Sequence, residues 1–308
     1  MRDSFAATLC ELAETDERPL LLTGDLGFMV FDRFRERFPD RFINAGVAEQ
    51  NMVGLATGLA DAGFIPFVYS IATFASMRPY EFIRNGPLLH RLPVRIVGVG
   101  TGFDYGVNGI THYALEDVAL MRAQPEMTVI APADAQQTAA ALRATWDYPG
   151  AIYLRLGKGS APVKGLNGRF GLGTSTIVRE GDDLAIVALG SAASAAVEAA
   201  EQLSEEGLKA TVAVTSTLRA QPDEALAELL AQMPLVITVE AAYRTGGLGS
   251  AVTELAAERG LGCRIVRCGV DRMPHGVSGG QAYLDELFGL SPSWLASTAL
   301  REITLDRR

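Results

Sequence analysis

Short apolar runs alternate with Ala-rich amphipathic segments along most of the chain. The first half contains "PLLLTGD", "FIPFVYS", "VRIVGVG", "MTVIAPA" and "AIYLRLG". The second contains "LAIVALG", "KATVAVTS", "LVITVEA" and "CRIVRCG". Runs of this length between turn residues predict strands buried on both faces. Between them, the spacing of apolar positions predicts helices over 48–62, 76–90, 134–145, 191–206, 222–231 and 248–259. Strands alternating with helices imply an α/β fold of mainly parallel sheets flanked by helices. One stretch breaks the alternation: 158–183, "KGSAPVKGLNGRFGLGTSTIVREGDD", is rich in Gly, Ser and charge, with "TSTIVRE" its single strand-like piece. It divides the chain into an α/β domain over 1–160, a linker over 161–180 and a second α/β domain over 181–308. No tandem repeat interrupts this reading.

Composition narrows the class. The 308 residues are 48% hydrophobic and 20% charged, enough for a sizeable core. A net charge of −9, spread along the chain, argues against nucleic acid as a partner. The start, "MRDSFAATLCELAETDERP", is charged throughout and unlike a signal peptide. No apolar run reaches the roughly 18 residues of a membrane span. Cys10, Cys263 and Cys268 make a disulfide framework or a zinc site improbable, so no metal site is expected and a reducing cytoplasm fits.

Candidate chemistry is sparse. His90 lies at a helix-to-strand junction that reads as surface. His112 follows a glycine-rich loop in "DYGVNGITHYALEDVALMR", with a helix starting just beyond it. Loops at the ends of parallel strands are where α/β sites form, so His112 is the best placed histidine for proton transfer or oxyanion stabilisation. His275, in "DRMPHGVSGG", ranks second. The "GGLGS" turn opens a helix and could cradle an anion on backbone amides, or could serve only close packing. Glu49 is sharper. It opens the greasy helix "NAGVAEQNMVGLATGLADAG", with no basic residue close in sequence. The helix dipole favours a carboxylate there, yet a buried carboxylate needs a partner, and a ligand group could be that partner.

These segments carry a resemblance. "FINAGVAEQNMVGLATGLADAGFIPFVYSIATFASMRPYEFIRN" resembles the pyrimidine-binding domain of transketolases and related thiamine diphosphate enzymes. "GVNGITHYALEDVALMRAQPEMTVIAPADAQQT" and "GAIYLRLGK" look like the segments that follow in that family. "VITVEAAYRTGGLGSAV" and "VSGGQAYLDELFGLS" are similar to its C-terminal domain. The resemblance spans nearly the whole chain. It implies a cofactor, thiamine diphosphate, and a catalytic Glu49 that hydrogen-bonds N1′ of the aminopyrimidine. It implies that Phe74 stacks on that ring, that Ile71 stands where the family often has a second aromatic, and that Asp25 lines the site at the end of the first strand. His112 matches a catalytic histidine that contacts sugar oxygens. Arg155 and Arg2 match substrate-binding arginines.

Three positions depart from the family pattern. Asn108 stands where an acidic residue usually precedes the histidine. Gly100 and Met29 stand where a histidine and a serine help to bind sugar phosphate. The resemblance therefore implies a two-carbon ketol transfer from a ketose donor to an acceptor, with an acceptor or donor that is not an ordinary sugar phosphate. No G-D-G segment for Mg²⁺ or Ca²⁺ and the diphosphate is found, so the metal is expected mainly on a partner. That partner would be an N-terminal transketolase-like subunit in an α2β2 assembly, with exposed apolar surface on this chain near 48–85. The alternatives are a β chain of a 2-oxoacid dehydrogenase decarboxylase and a non-catalytic, partner-stabilising subunit. The AEQN and THYALED wording favours the transketolase side.

Overall fold

The computed structural model describes residues 1–159, 161–218 and 223–306. Among these residues, twelve strands form two sheets. The first half contributes β1 (Pro19–Thr23), β2 (Phe42–Asn44), β3 (Ile65–Ile71), β4 (Arg95–Val99), β5 (Thr128–Ile130) and β6 (Ile152–Leu156). The second contributes β7 (Thr176–Arg179), β8 (Leu184–Leu189), β9 (Ala210–Thr215), β10 (Thr217–Leu218), β11 (Leu235–Tyr243) and β12 (Arg264–Val270). The first sheet has the order β10-β5-β6-β4-β3-β1-β2 and the second β12-β11-β8-β9-β7. Both are parallel except for one antiparallel edge strand each, β10 and β7. The mainly parallel α/β architecture expected from the alternation is present. Each predicted strand run contains a strand, and β1, β4, β6, β8 and β9 are buried at every position. Helices must therefore cover both faces.

The edge strands cross the expected boundaries. The strand-like piece of the 161–180 stretch, β7, pairs with β9 of the second sheet. Conversely β10, from the second half, pairs with β5 of the first sheet. The two units therefore share chain, and their interface is not a loose hinge.

The helical expectations differ from the structure in one place and miss several elements, among them the short helices Asp32–Arg37 and Gln281–Leu287. The segment 76–90 is not one helix. It resolves into Ala72–Met77, Tyr80–Ile83 and a π turn, Arg84–Leu88. Pro79 separates the first two and Pro87 sits in the turn, each removing a backbone donor. Helices Arg2–Thr15 and Pro292–Asp306 have no counterpart among the expected elements. The first buries Phe5, Leu9, Cys10 and Ala13 along one stripe between charged positions. Residue 222, where one predicted helix begins, lies outside the described residues; the observed helix runs Glu224–Gln232.

Two arginines inside the first sheet show how polar groups are accommodated there. Arg95 of β4 is 2% exposed and caps the chain after helix Ala135–Thr145, donating to the carbonyls of Trp146, Tyr148 and Gly150. Burial pulls its pKa down to about 9. Arg155 of β6 is 1% exposed. Its Nε donates to Asp117 Oδ2 at 2.7 Å, and its Nη2 reaches Asp117 Oδ1, Ala114 O and, on β11, Ala241 O at 3.1, 3.0 and 2.9 Å. The Tyr153 hydroxyl donates to the same aspartate at 2.8 Å. The pair thus joins a central strand, the segment around 114–117 and the second sheet.

The rest of the interface holds the loop that leads to His112. The Tyr113 hydroxyl donates to Gly106 O and Val277 O at 3.0 and 2.6 Å. Gly279 N donates to Gly106 O, and a Cβ on Gly106 would strike the Gly279 carbonyl, so the two backbones touch. Asp285, on helix Gln281–Leu287, lies near Asp104 at this joint. Burial, then the Asp104 charge, pushes its carboxyl up to about 6.

Two outcomes follow for stability. Asp117→Ala leaves the Arg155 charge buried without its carboxylate and should cost about 3–5 kcal/mol in urea unfolding. The double variant Asp117→Leu/Arg155→Met should recover most of that; equal losses in both would refute a charge-based explanation. For Asp285, the folded state holds the proton more tightly than the unfolded chain. Its contribution is present below the ordinary 3.8 and is lost as pH rises through about 6. Asp285→Asn should therefore stabilise the protein above pH ~6, by at most about 3 kcal/mol. The gain should shrink toward pH ~4, and an equal gain in urea midpoints at both ends would contradict it.

Candidate active site

The candidate site lies where β1 and β3 end side by side in the first sheet; the ends of parallel strands are where such sheets accept ligands. Glu49 opens helix Glu49–Asp61 here and is only 3% exposed. Gly24, just past β1, faces its Oε1. The carboxylate has two partners. The buried Ser70 hydroxyl on β3 donates to Oε1 at 3.0 Å, and Arg78 Nη1 donates to Oε2 at 3.1 Å. The partner sought outside the chain is thus supplied from within it, from far along the sequence.

Helix Ala72–Met77 follows β3 directly, and Arg78 is its C-cap. Phe74 and Arg78 are one helical turn apart and share a face. The Arg78 guanidinium lies over the Phe74 ring, 4.2 Å from its centroid. The other neighbour of Phe74 is His112, in an edge-to-face contact at 5.3 Å. His112 ends the short 3₁₀ turn Ile110–His112. Its Nδ1 lies 3.0 Å from Thr111 Oγ1, and the Tyr105 ring stands 6.3 Å away. A continuous chain of contacts therefore runs Glu49–Arg78–Phe74–His112–Tyr105.

The structure brings Glu49, Phe74 and His112 together. Ile71 ends β3, half-buried, immediately before the helix that carries Phe74. Asp25 follows Gly24 with a left-handed φ of 59°, held by Asn44 through its amide and its carboxylate, each at 3.0 Å. Asn108 is exposed on the loop before His112. Arg2 is exposed, weakly paired with Asp3 at 3.5 Å, and its charge reaches Tyr105. Arg155 is not in this group. Its side chain is buried, with Nε and Nη2 taken up by Asp117 and the carbonyls of Ala114 and Ala241, a structural role in place of the substrate contact expected of it. His90 and His275 are exposed.

Gly100 and Met29 acquire a physical description. Gly100 has φ 86°, and a Cβ there would run into the Tyr105 ring, so that ring occupies the space of any side chain at position 100. Met29 is 87% exposed with φ 65°. Ser70, Arg78 and Tyr105 were not singled out from the sequence. Of these, Arg78 had a legible signal, a base one turn beyond an aromatic. Ser70 had only its place as a small polar residue late in an apolar strand, next to Tyr69. The "GGLGS" amides also find their anion inside the chain. Buried Glu240 accepts from Leu248 N and Gly249 N, each at 2.8 Å, and a Cβ on Gly247 would collide with it. Burial pushes the Glu240 carboxyl up, opposed by those two amides.

Among the exposed apolar side chains are Phe28, Met29, Val47, Leu55, Met77 and Phe82. They include four positions in the 48–85 region or at its edge where such surface was expected.

Comparison with known proteins matches these features. Residues 1–164 match the family described as "Transketolase, pyrimidine binding domain", and residues 173–294 match "Transketolase, C-terminal domain". The 6-deoxy-6-sulfo-D-fructose transketolase subunit SqwH of Clostridium sp. (strain MSTE9) is 37% identical, the match covering 99% of this chain and 94% of that one. One of the subunits of an apulose-4-phosphate transketolase from Phocaeicola vulgatus is 34% identical over 97% of this chain and 96% of its own. A solved structure, a split-gene transketolase as an inactive β4 tetramer, superposes with a TM-score of 0.88 at 36% identity, covering 99% of this chain and 98% of that chain.

Proposed function

The chain belongs to the transketolase family, and from that premise we propose that it is the pyrimidine-side subunit of a split, thiamine-diphosphate-dependent transketolase. With an N-terminal counterpart it transfers a two-carbon ketol unit from a ketose donor to an acceptor. The observation that carries this reading is the buried Glu49 carboxylate beside Phe74 and His112 at the ends of β1 and β3.

The residues present fit an aminopyrimidine. The Arg78 guanidinium, a flat nitrogen-bearing group, already rests on Phe74 and bonds Glu49, which are the two contacts such a ring needs. Thiamine diphosphate, when bound, supplies the electron sink for carbon–carbon bond cleavage. Glu49 holds the proton at the pyrimidine nitrogen, Phe74 offers its ring face, Ile71 packs beside it and Asp25 stands at the rim. His112, with Nδ1 engaged by Thr111, has Nε2 left to hold or move a proton at a substrate oxygen. Asn108 and Arg2 are assigned to the substrate.

The diphosphate and its Mg²⁺ or Ca²⁺ are assigned mainly to the partner, in an α2β2 assembly. The exposed apolar side chains support a covered face, and the inactive β4 form of the split-gene relative supports the need for a second subunit. For the substrate, the Tyr105 ring in place of a side chain at Gly100, exposed Met29 and enclosed Arg155 favour a ketose that is not an ordinary sugar phosphate. Relatives named for 6-deoxy-6-sulfo-D-fructose and apulose 4-phosphate support that choice.

The test is turnover by the reconstituted pair. With thiamine diphosphate and Mg²⁺, it should convert ketose donors, and Glu49→Gln should lower kcat by about 10²–10⁴ while the pair still assembles. Full activity of Glu49→Gln would sink the catalytic assignment. Consumption of pyruvate with acyl transfer to lipoamide would instead favour the 2-oxoacid dehydrogenase reading. A strong preference for fructose 6-phosphate over sulfonated or unphosphorylated ketoses would overturn the substrate part alone.

A further inference from the structure

Arg78 is given no task toward cofactor or substrate in the reading just given, yet it makes both contacts assigned there to the aminopyrimidine. Its Nη1 bonds Glu49 Oε2 at 3.1 Å, and its guanidinium carbon stands 4.2 Å from the Phe74 centroid. A ring stacked on Phe74 and hydrogen-bonded to Glu49 would enter the same few ångströms. Two flat groups cannot share that space. The arginine is also able to leave: its side chain is 47% exposed, whereas that of Glu49 is 2% exposed. Arg78 follows the last residue of helix Ala72–Met77, so a rotamer change moves the guanidinium to solvent without disturbing helical hydrogen bonds.

We propose that Arg78 is a placeholder in the cofactor seat: it neutralises Glu49 and covers Phe74 in the cofactor-free subunit, and cofactor entry displaces it. This rests on the reading of the site as a thiamine diphosphate site. The physical need is clear. A buried carboxylate without a partner is costly, and the isolated chain must fold before any cofactor arrives. The arginine supplies the missing counter-charge at that stage and competes with the cofactor afterwards. The carboxylate's second partner, the Ser70 hydroxyl, stays on Oε1 in both states, so Glu49 keeps its orientation through the exchange.

Arg78→Ala and Arg78→Lys test the exchange. Thiamine diphosphate with Mg²⁺ is titrated calorimetrically into the reconstituted pair, and the isolated subunits are melted without cofactor. Arg78→Ala should bind several-fold to tenfold more tightly than wild type, and its free subunit should melt lower by a few degrees. Arg78→Lys keeps the charge but not the flat group, so its subunit should melt near wild type and its affinity should fall between the two. Weaker binding by Arg78→Ala with unchanged melting would overturn the proposal, making Arg78 a cofactor-holding residue. Equal affinity of wild type and Arg78→Ala would also overturn it and leave the family-based reading intact. No binding by the wild-type pair would sink that reading and this proposal with it.

Discussion

The arrangement of the candidate site depends on an ion pair that is not in it. A guanidinium in the middle of a parallel sheet has no water to turn to, so its donors must be met by protein. From its central strand, Arg155 meets this need with Asp117 and Ala114, on the segment just beyond His112, and with Ala241 on the opposite sheet. The requirement to satisfy one buried cation therefore fixes three pieces of chain relative to one another. His112 lies on the segment so fixed, and Tyr113 is tied to Val277 across the same boundary. The second domain contributes no member of the Glu49–Phe74–His112 group, yet its backbone carbonyls hold the loop that carries the histidine.

Two other buried carboxylates show why only one of them is a candidate for a site. The carboxylates of Glu49 and Glu240 both lie at helix N-termini, where the backbone dipole favours negative charge. Glu240 is met by two amides of the helix Leu248–Arg259, and the missing Cβ of Gly247 closes the fit. Backbone amides cannot swing away, so that seat is permanently filled. Glu49 is met by a hydroxyl and by the tip of a long, half-exposed side chain. On the proposed reading, the same electrostatic need, answered by a movable group, leaves an exchangeable position. Burial alone does not separate the two; the mobility of the partner does.

This distinction explains what the sequence could and could not convey. The strands were legible because parallel sheets covered on both faces leave unbroken apolar runs, as in "LAIVAL" of β8. Glu49, Phe74 and His112 were legible because they stand in distinctive local wording. Their contact with one another belongs to the order of strands in the sheet, and so does the pairing of Glu49 with Arg78. Arg155 misled for the same reason: an arginine at a strand's end looks alike whether it faces solvent or the neighbouring domain. The helix expected over 76–90 failed on local grounds, since Pro79 and Pro87 each remove a donor that a continuous helix needs. The terminal helix Arg2–Thr15 has a narrow buried stripe among charges, which weakens its periodic signal.

On the proposed reading, the exposed apolar side chains and the half-exposed arginine are two sides of one constraint. A partner that covers Val47, Leu55, Met77 and Phe82 removes apolar surface from water and dries the ground around Glu49. In a drier surrounding every charge on that carboxylate must be better matched, so the solvated tip of Arg78 becomes a poorer occupant. A ring that hydrogen-bonds Glu49 while stacking on Phe74 loses less to the same desolvation. Assembly and cofactor binding then favour each other, and linkage makes the coupling reciprocal: whatever free energy the partner adds to cofactor binding, the cofactor adds to the partnership. A chain that supplies only the pyrimidine side thus has a physical reason to remain idle alone, because its own arginine is the better ligand until the partner arrives.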